Sequence, residues 1–440
     1  MTPGTFAVRR GRPLSGRFAP PGDKSITHRA VLLGLLAEGE TRVLGPNTGE
    51  DCRGSLAAAA LLGARTRVDE GVWTLAGVAM APRAAAHAID CGNSGTTMRL
   101  LAGIAAGAPF ETRLIGDASL SRRPMARVIE PLRRMGARIE AASGDRPPLD
   151  IHGGSLAATT HAAAVASAQV EACLLLAGLF ARGTTTVRLP GPARDHTTRM
   201  FEAFGIEARV TPLPGGAREV SVAGGAQPKG TDVRVPGDFS AAAFLLAAAA
   251  ATPGSQVTAT GVSLNPTRTG LLDVLEAMGA PVEVAPTAGA GAEPLGEVTV
   301  RGPATLRAFD VPAAWLPRLV DEVPAWAVLA AAARGTSRIR GAAELRVKES
   351  DRLAALARNL AASGIAAREL PDGLEVEGGT PRGARIEADL DHRIVMAFAT
   401  LGTLAEQPMS FDDVGSVATS FPGFFPTLAS LGAGVEEGAA

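Results

Sequence analysis

Residues 133–141 read RRMGARIEA: a short helix end, a glycine, then a strand. Gly136 suits the left-handed position that closes a helix, and the small and β-branched residues after it suit an extended chain. The phrase returns as ALLGA ending at Ala64, EAFGI at Ile206, EAMGA at Ala280, AASGI at Ile365 and ASLGA at Ala433. The steps between its glycines, Gly63, Gly136, Gly205, Gly279, Gly364 and Gly432, are 73, 69, 74, 85 and 68 residues. Four of the copies run into a readable strand: ARTRV, ARIEA, IEARV and APVEV.

Upstream of each cap stands a second phrase: an Ala/Leu-rich helix, a Gly or Pro turn, and a β-rich run. Examples are GTTMRLLAGIAAGAPFETRL at 95–114 and HRIVMAFATLGTLAEQPMSF at 392–411. These helices are apolar nearly all round, which places them in a core. Six copies of two helices and several strands are too long for common solenoid units. Two groups of three satisfy core size better than one continuous core. The reading is an α/β chain of six repeats.

Composition narrows the function. The 440 residues are 20% charged and 46% hydrophobic, enough for two or three domains. Lys+Arg 43 against Asp+Glu 44 leaves a net charge of -1 and no polybasic block, which disfavours nucleic acid as a partner. Cys52, Cys91 and Cys173 are too scattered for a disulfide scaffold. The N-terminal stretch lacks the apolar run of a secretory signal, and the apolar segment 241–252 is too short to cross a membrane, so a cytoplasmic setting is expected. Among the basic residues only Lys24, Lys229 and Lys348 are lysines, which singles them out.

The polar residues gather where the apolar helices start, and free N–H groups there favour anions. PPGDKSITHR, residues 20–29, offers Asp23 or Ser25 as a cap, with Lys24, Ser25 and Arg29 on the first turns. Its glycine spacing does not fit a nucleotide P-loop. DCGNSGTTMRL, residues 90–100, gives a flexible turn through Asn93, Ser94 and Gly95 into a helix, with Arg99 one turn inside. Arg122 and Arg123 precede Pro124, read as the first helical turn. Ser167 and Gln169 open another apolar helix, and Arg194, Asp195, His196 and Arg199 share a turn. His196 reads as a capping or orienting residue. Farther on, Asp321 and Glu322 precede a buried-type helix. Lys348, Glu349, Asp351 and Arg352 crowd one helix start, and Asp391, His392 and Arg393 another. Charges so close to apolar helices require pairing or a ligand, and internal ion pairs compete with a binding role. Neither a metal shell nor a Gly-x-Ser-x-Gly elbow is evident. No metal or cofactor is expected, and small anionic substrates are.

These strings, in order, resemble those of the 5-enolpyruvylshikimate-3-phosphate (EPSP) synthase family: PGDKSITHR, GNSGTTMRL, RRPM, SAQ, RDHT, PGDFSAA, VKESDRL and DHRI. The resemblance spans nearly the whole chain. It implies a two-domain enolpyruvyl transferase fold of six βαβαββ repeats, three per domain. One domain would hold residues 1–20 plus 236–440 and the other 21–235, with the active site in the interdomain cleft. It also implies transfer of the enolpyruvyl group of phosphoenolpyruvate to the 5-hydroxyl of shikimate 3-phosphate, sensitivity to glyphosate, and a monomer.

Residue by residue, the resemblance puts Lys24 near both substrates. It puts Ser25, Arg29, Ser167, Ala168, Gln169, Arg194, Asp321 and Lys348 on shikimate 3-phosphate. Asn93, Gly95, Arg123, Gln169, Arg352 and Arg393 fall to phosphoenolpyruvate. Lys24, Asp321 and Glu349 are the catalytic set, with Asp321 removing the 5-hydroxyl proton and Glu349 protonating the methylene carbon. Three positions depart from the family pattern. Ala168 replaces a second Ser, and Glu171 stands where some members have Lys. DVGSVATSFPGFF, residues 413–425, lacks a Lys that many members carry, leaving Thr419 or Ser420 as a neutral substitute. A nucleotide-sugar enolpyruvyl transferase fits less well, because Ser25 replaces its usual Asn and its loop cysteine is missing. An inactive anion-binding repeat protein is the alternative of a different class.

Overall fold

The computed structural model describes residues 5–287, 291 and 293–438. All six cap glycines adopt positive φ: +105° at Gly63, +108° at Gly136, +71° at Gly205, +91° at Gly279, +76° at Gly364 and +122° at Gly432. A strand follows every one, including the two not readable beforehand, Ala367–Leu370 and Gly434–Gly438.

The second repeat shows the plan in one continuous piece. Strand Ile89–Asp90 leads into helix Gly95–Gly107, strand Glu111–Ile115, helix Ala126–Arg134, and strands Arg138–Ala142 and Arg146–His152. The lead strand pairs parallel with 111–115, and the last strand inserts antiparallel between 111–115 and 138–142. The third repeat, from Thr160–Ala162 to Arg218–Ala223, has the same order. So does the fifth, although Gly335 at φ +101° breaks one strand into Ala333–Arg334 and Thr336–Ile339.

The other three repeats borrow a strand from far along the chain. Ser15–Phe18 runs toward helix Lys24–Leu36 but pairs parallel with Gln256–Ser263. Asp232–Arg234 runs toward helix Phe239–Ala251 but pairs parallel with Glu40–Leu44. Thr5–Arg9 inserts antiparallel between Met409–Phe411 and Gly434–Gly438, completing the sixth sheet. The chain therefore changes units wherever a lead strand and its following helix part company. By contacts one compact unit comprises Met1–Pro21, Pro236–Gly289 and Pro294–Ala440. The other comprises Gly22–Val235 and Ala290–Glu293.

Each unit has its own core, built around the first helices of its repeats. Every residue of Phe239–Ala251 is buried. In Lys24–Leu36 only Lys24 and Ser25 escape burial. Such helices cannot present a solvated face, so the polar residues of these segments are confined to the helix starts. All three cysteines are buried thiols. Among the described residues no helix is long and apolar enough to cross a membrane.

Candidate active site

In the unit of Gly22–Val235 the site begins with helix caps. Asp23 accepts from Ile26 N at 2.9 Å, so Asp23 is the cap and Ser25 lies inside the helix. Ser94 caps Gly95–Gly107 by accepting from Thr97 N, and Ser167 caps Ala168–Gly178 by accepting from Val170 N. The Arg-Pro segment differs from the sequence expectation. A 3-10 turn covers Leu120–Arg122 and the α-helix begins at Ala126, so Pro124 precedes the helix rather than opening it.

Side chains tie these starts together. Arg29 donates through Nε to Thr197 Oγ1 at 2.8 Å, and its two terminal nitrogens reach the carbonyls of Ser25 at 2.9 Å and Ala168 at 3.4 Å. Burial lowers the Arg29 pKa to about 10, partly offset by Asp23, Glu171 and Glu293. Arg99 donates to Gln169 Oε1 at 2.8 Å, and Gln169 Nε2 donates to Thr96 Oγ1 at 2.8 Å. Arg123 donates to Asn93 Oδ1 at 2.5 Å, while the Asn93 amide donates to Asp117 at 2.8 Å. Lys24 pairs with Asp51 at 2.6 Å. Ser25, Arg29, Ala168, Gln169 and Gly95 thus share one hydrogen-bonded neighbourhood, and Asn93 joins Arg123. Arg194 lies near enough to Arg29 for their charges to oppose each other.

Two of the departures find local explanations. Ala168 offers its carbonyl to Arg29, which needs no side chain. Glu171 is fully buried, and burial raises its pKa. Arg218 opposes that shift with a bidentate pair at 2.8 Å and also binds the Arg194 carbonyl at 3.0 Å. His196 opens helix His196–Ala203 and pairs through Nδ1 with Glu293 at 2.6 Å, an orienting role.

The other unit holds a denser charge cluster. The Asp321 carboxylate lies 3.7 Å from Lys348 Nζ, 3.5 Å from Arg352 and 4.0 Å from Arg393. Arg393 also donates to the Asp321 carbonyl. Arg352, 1% exposed, binds Asp391 through Nε at 2.8 Å and Glu349 at 2.6 Å. Burial alone would lower the Arg352 pKa, but Asp391, Glu349 and Asp321 hold it above its ordinary value. Burial likewise works against the charged form of Asp391, and Arg352 reverses that, leaving its pKa lowered. Asp391 also caps its helix by accepting from Arg393 N at 2.9 Å. Asp321, Lys348, Glu349, Arg352 and Arg393 therefore form one group. The internal pairing weighed from sequence is present as well, through Asp391 and Glu349.

Several participants were not legible in the sequence. Asp51, Thr197 and Arg268 each find a partner more than twenty residues away. Arg268, 1% exposed, donates to Asp238 at 3.0 Å and Ser240 at 2.6 Å, and Ser240 donates to Glu322. PGDFSAA, the matching string with no assigned contact, holds two members of this network. Among the described residues no group of three or more His, Cys, Asp or Glu could hold a metal ion. The arrangement can neutralise anions and move protons.

Comparison with known proteins agrees with this chemistry. The family profile for EPSP synthase (3-phosphoshikimate 1-carboxyvinyltransferase) matches residues 8–428. A 3-phosphoshikimate 1-carboxyvinyltransferase of Anaeromyxobacter sp. (strain K) is 50% identical over 97% of the chain and 96% of its own length. One from Coxiella burnetii (strain RSA 493 / Nine Mile phase I) is 45% identical over 96% of each. The solved EPSP synthase of Acinetobacter baumannii superposes with TM-score 0.87 at 39% identity, covering 99% of this chain and all of that one. The enolpyruvyl transferase NikO from Streptomyces tendae, at 18% identity and TM-score 0.77 over both full chains, shares the fold.

Proposed function

The chain belongs to the EPSP synthase family, and from that premise we propose how its side chains divide the reaction. The enzyme transfers the enolpyruvyl group of phosphoenolpyruvate to the 5-hydroxyl of shikimate 3-phosphate, releasing phosphate, in the biosynthesis of chorismate and aromatic amino acids. The observation that carries the residue assignment is Asp321, a carboxylate with Lys348, Arg352 and Arg393 all within 4.0 Å.

In the proposed sequence Asp321 takes the 5-hydroxyl proton as the oxygen attacks C2 of phosphoenolpyruvate, and Glu349 protonates C3. The tetrahedral intermediate then loses phosphate and returns a C3 proton to the Glu349 carboxylate, restoring the double bond. Separate base and acid let each hold its required protonation state. Arg352 and Arg393 hold phosphoenolpyruvate in the unit of Asp321, while Asn93, Gly95, Gln169 and Arg123 serve it from the other. Ser25, Arg29, Ser167, Ala168, Gln169 and Arg194, with Asp321 and Lys348, hold shikimate 3-phosphate. Lys24 serves both substrates. Preorganised cations stabilise charge on the leaving phosphate without solvent reorganisation.

Both units thus contribute to one active site, with unit boundaries near residues 20 and 236. The proposal includes a cytoplasmic monomer that glyphosate inhibits by competing with phosphoenolpyruvate. The test is phosphate release with both substrates present, compared in wild type and Asp321→Asn. Loss of release with both substrates still bound supports the assignment. Tight binding by the wild type without phosphate or product overturns it in favour of an anion-binding protein.

A further inference from the structure

His28 belongs to the first motif, yet the proposed reaction gives it no task. It is fully buried. Its Nδ1 lies 2.8 Å from Ser55 Oγ, Ser55 Oγ lies 2.8 Å from Thr97 Oγ1, and Thr97 Oγ1 lies 2.7 Å from Ser94 Oγ. Ser94 also accepts from Thr97 N at 3.1 Å. Ser55, Thr97 and Ser94 are all buried too. The chain runs from the helix that bears Lys24, Ser25 and Arg29 to the turn that bears Asn93 and Gly95.

The direction of this chain follows from one unsatisfied atom. His28 Nε2 is buried with no hydrogen-bond partner among the described residues. A buried N–H left unpaired is rarer than an unpaired acceptor. The proton therefore belongs on Nδ1, which donates to Ser55, and Nε2 stays bare. Burial first, then the charges of Lys24 and Arg29, push the His28 pKa well below its ordinary value, so the ring is neutral. With Ser55 accepting from His28, its own hydroxyl hydrogen points to Thr97, and that of Thr97 points to Ser94. Ser94 then accepts two hydrogen bonds from Thr97, which fixes its oxygen as the helix cap.

We infer that His28 is a positioning residue for phosphoenolpyruvate: its Nδ1–H orders the Ser55–Thr97–Ser94 chain and thereby holds the turn of Asn93 and Gly95. The inference rests on the proposed role of that turn. It predicts an effect that crosses between motifs, because a residue on the shikimate 3-phosphate helix governs the other substrate.

The experiment is steady-state kinetics for both substrates, with thermal unfolding measured for each variant. His28→Leu removes the donor and raises the KM for phosphoenolpyruvate about tenfold, while the KM for shikimate 3-phosphate stays within about twofold. His28→Asn, whose amide nitrogen can replace Nδ1, restores the wild-type KM to within about threefold. Ser55→Ala breaks the chain without touching the ring and reproduces the selective rise, so the inference stays testable if His28→Leu fails to fold. His28→Leu added to Ser94→Ala costs less than it does alone, because both act on one chain. Equal rises in both KM values, no rise in folded His28→Leu, or additive double-variant effects overturn the inference. Asn93→Ala separates the two failures. If it leaves the phosphoenolpyruvate KM unchanged, the reading of the turn is wrong and the inference falls with it. If it raises that KM and His28→Leu does not, only the positioning role is lost.

Discussion

Lys24 Nζ lies 2.6 Å from Asp51 Oδ2, with the two side chains 16% and 8% exposed. Lys24 is the first residue of its helix and Asp51 sits in the first turn of Glu50–Leu61. A cation at a helix N-terminus faces the positive end of the dipole, and the carboxylate offsets that repulsion. The pair therefore holds an ammonium where anionic substrates are proposed to bind. Asp51→Ala should destabilise the protein by about 1–3 kcal/mol, since the ammonium loses this ion pair while largely shielded from water. It should also lower kcat/KM about tenfold or more as Lys24 loses its fixed position. Unchanged melting and unchanged kinetics together would show the pair to be incidental.

Asp321 and Glu349 differ in their surroundings, and their variants should differ too. Asp321 faces three cations, whereas Glu349 has a 2.6 Å ion pair with Arg352. Asp321→Asn and Glu349→Gln keep side-chain size and remove proton transfer. Each should lower the maximal rate by about 10² or more. Asp321→Asn additionally leaves three cations less compensated, so it should tighten anion binding while turnover falls. Near-normal turnover in a folded variant would remove that residue from its role.

Burial of neutral His28 gives stability a pH dependence of known sign. In the unfolded chain its imidazole binds a proton near pH 6.5, and in the folded chain the pKa is well below that value. Between those two pKa values the unfolded state binds one proton more, so stability falls as pH drops below about 6.5. The slope from this group is at most about 1.4 kcal/mol per pH unit. His28→Asn should flatten the curve, measured by urea unfolding between about pH 7 and about pH 5. Parallel curves for the two proteins would mean that His28 titrates in the fold as it does in the unfolded chain.

The periodic features of this chain were legible because they are local. A glycine at a left-handed cap and an all-round apolar helix each announce themselves within a dozen residues, and the six positive φ values agree. The borrowed strands were not legible in the residues themselves, and only the family resemblance grouped residues 1–20 with 236–440. Nothing within Thr5–Arg9 says that it will insert between two strands from the other end of the chain. The site divides the same way. Lys24, Arg29 and Lys348 stand out by rarity or by position at a helix start. Asp51 and Thr197 matter only through partners that folding brings near, Lys24 across 27 residues and Arg29 across 168. Arg268 carries no local signal in the sequence, yet it is among the most buried side chains.

Gly95 carries the last prediction. A Cβ built there would meet Arg99 Nη1 at 2.6 Å and Arg123 Nη1 at 3.5 Å. The first distance is too short, so the guanidinium must move. That end is flexible, but it is held by Gln169 at 2.8 Å and by the Gly95 carbonyl at 3.3 Å. The methyl of Gly95→Ala therefore acts twice: it narrows the space beside the turn and dislodges Arg99 from Gln169. Both effects should penalise glyphosate, the proposed inhibitor and longer than phosphoenolpyruvate, more than that substrate. Overpacking costs about 1–3 kcal/mol, so inhibition should weaken about tenfold or more. The KM for phosphoenolpyruvate should rise by a smaller factor. Inhibition constants measured at matched shikimate 3-phosphate saturation test the ratio. Arg99→Ala separates the two routes. If displacement of Arg99 is the main one, Gly95→Ala adds little in the Arg99→Ala background. If the methyl acts on the inhibitor directly, its full effect survives there. An equal loss of inhibitor and substrate affinity in Gly95→Ala would defeat the steric account in either form.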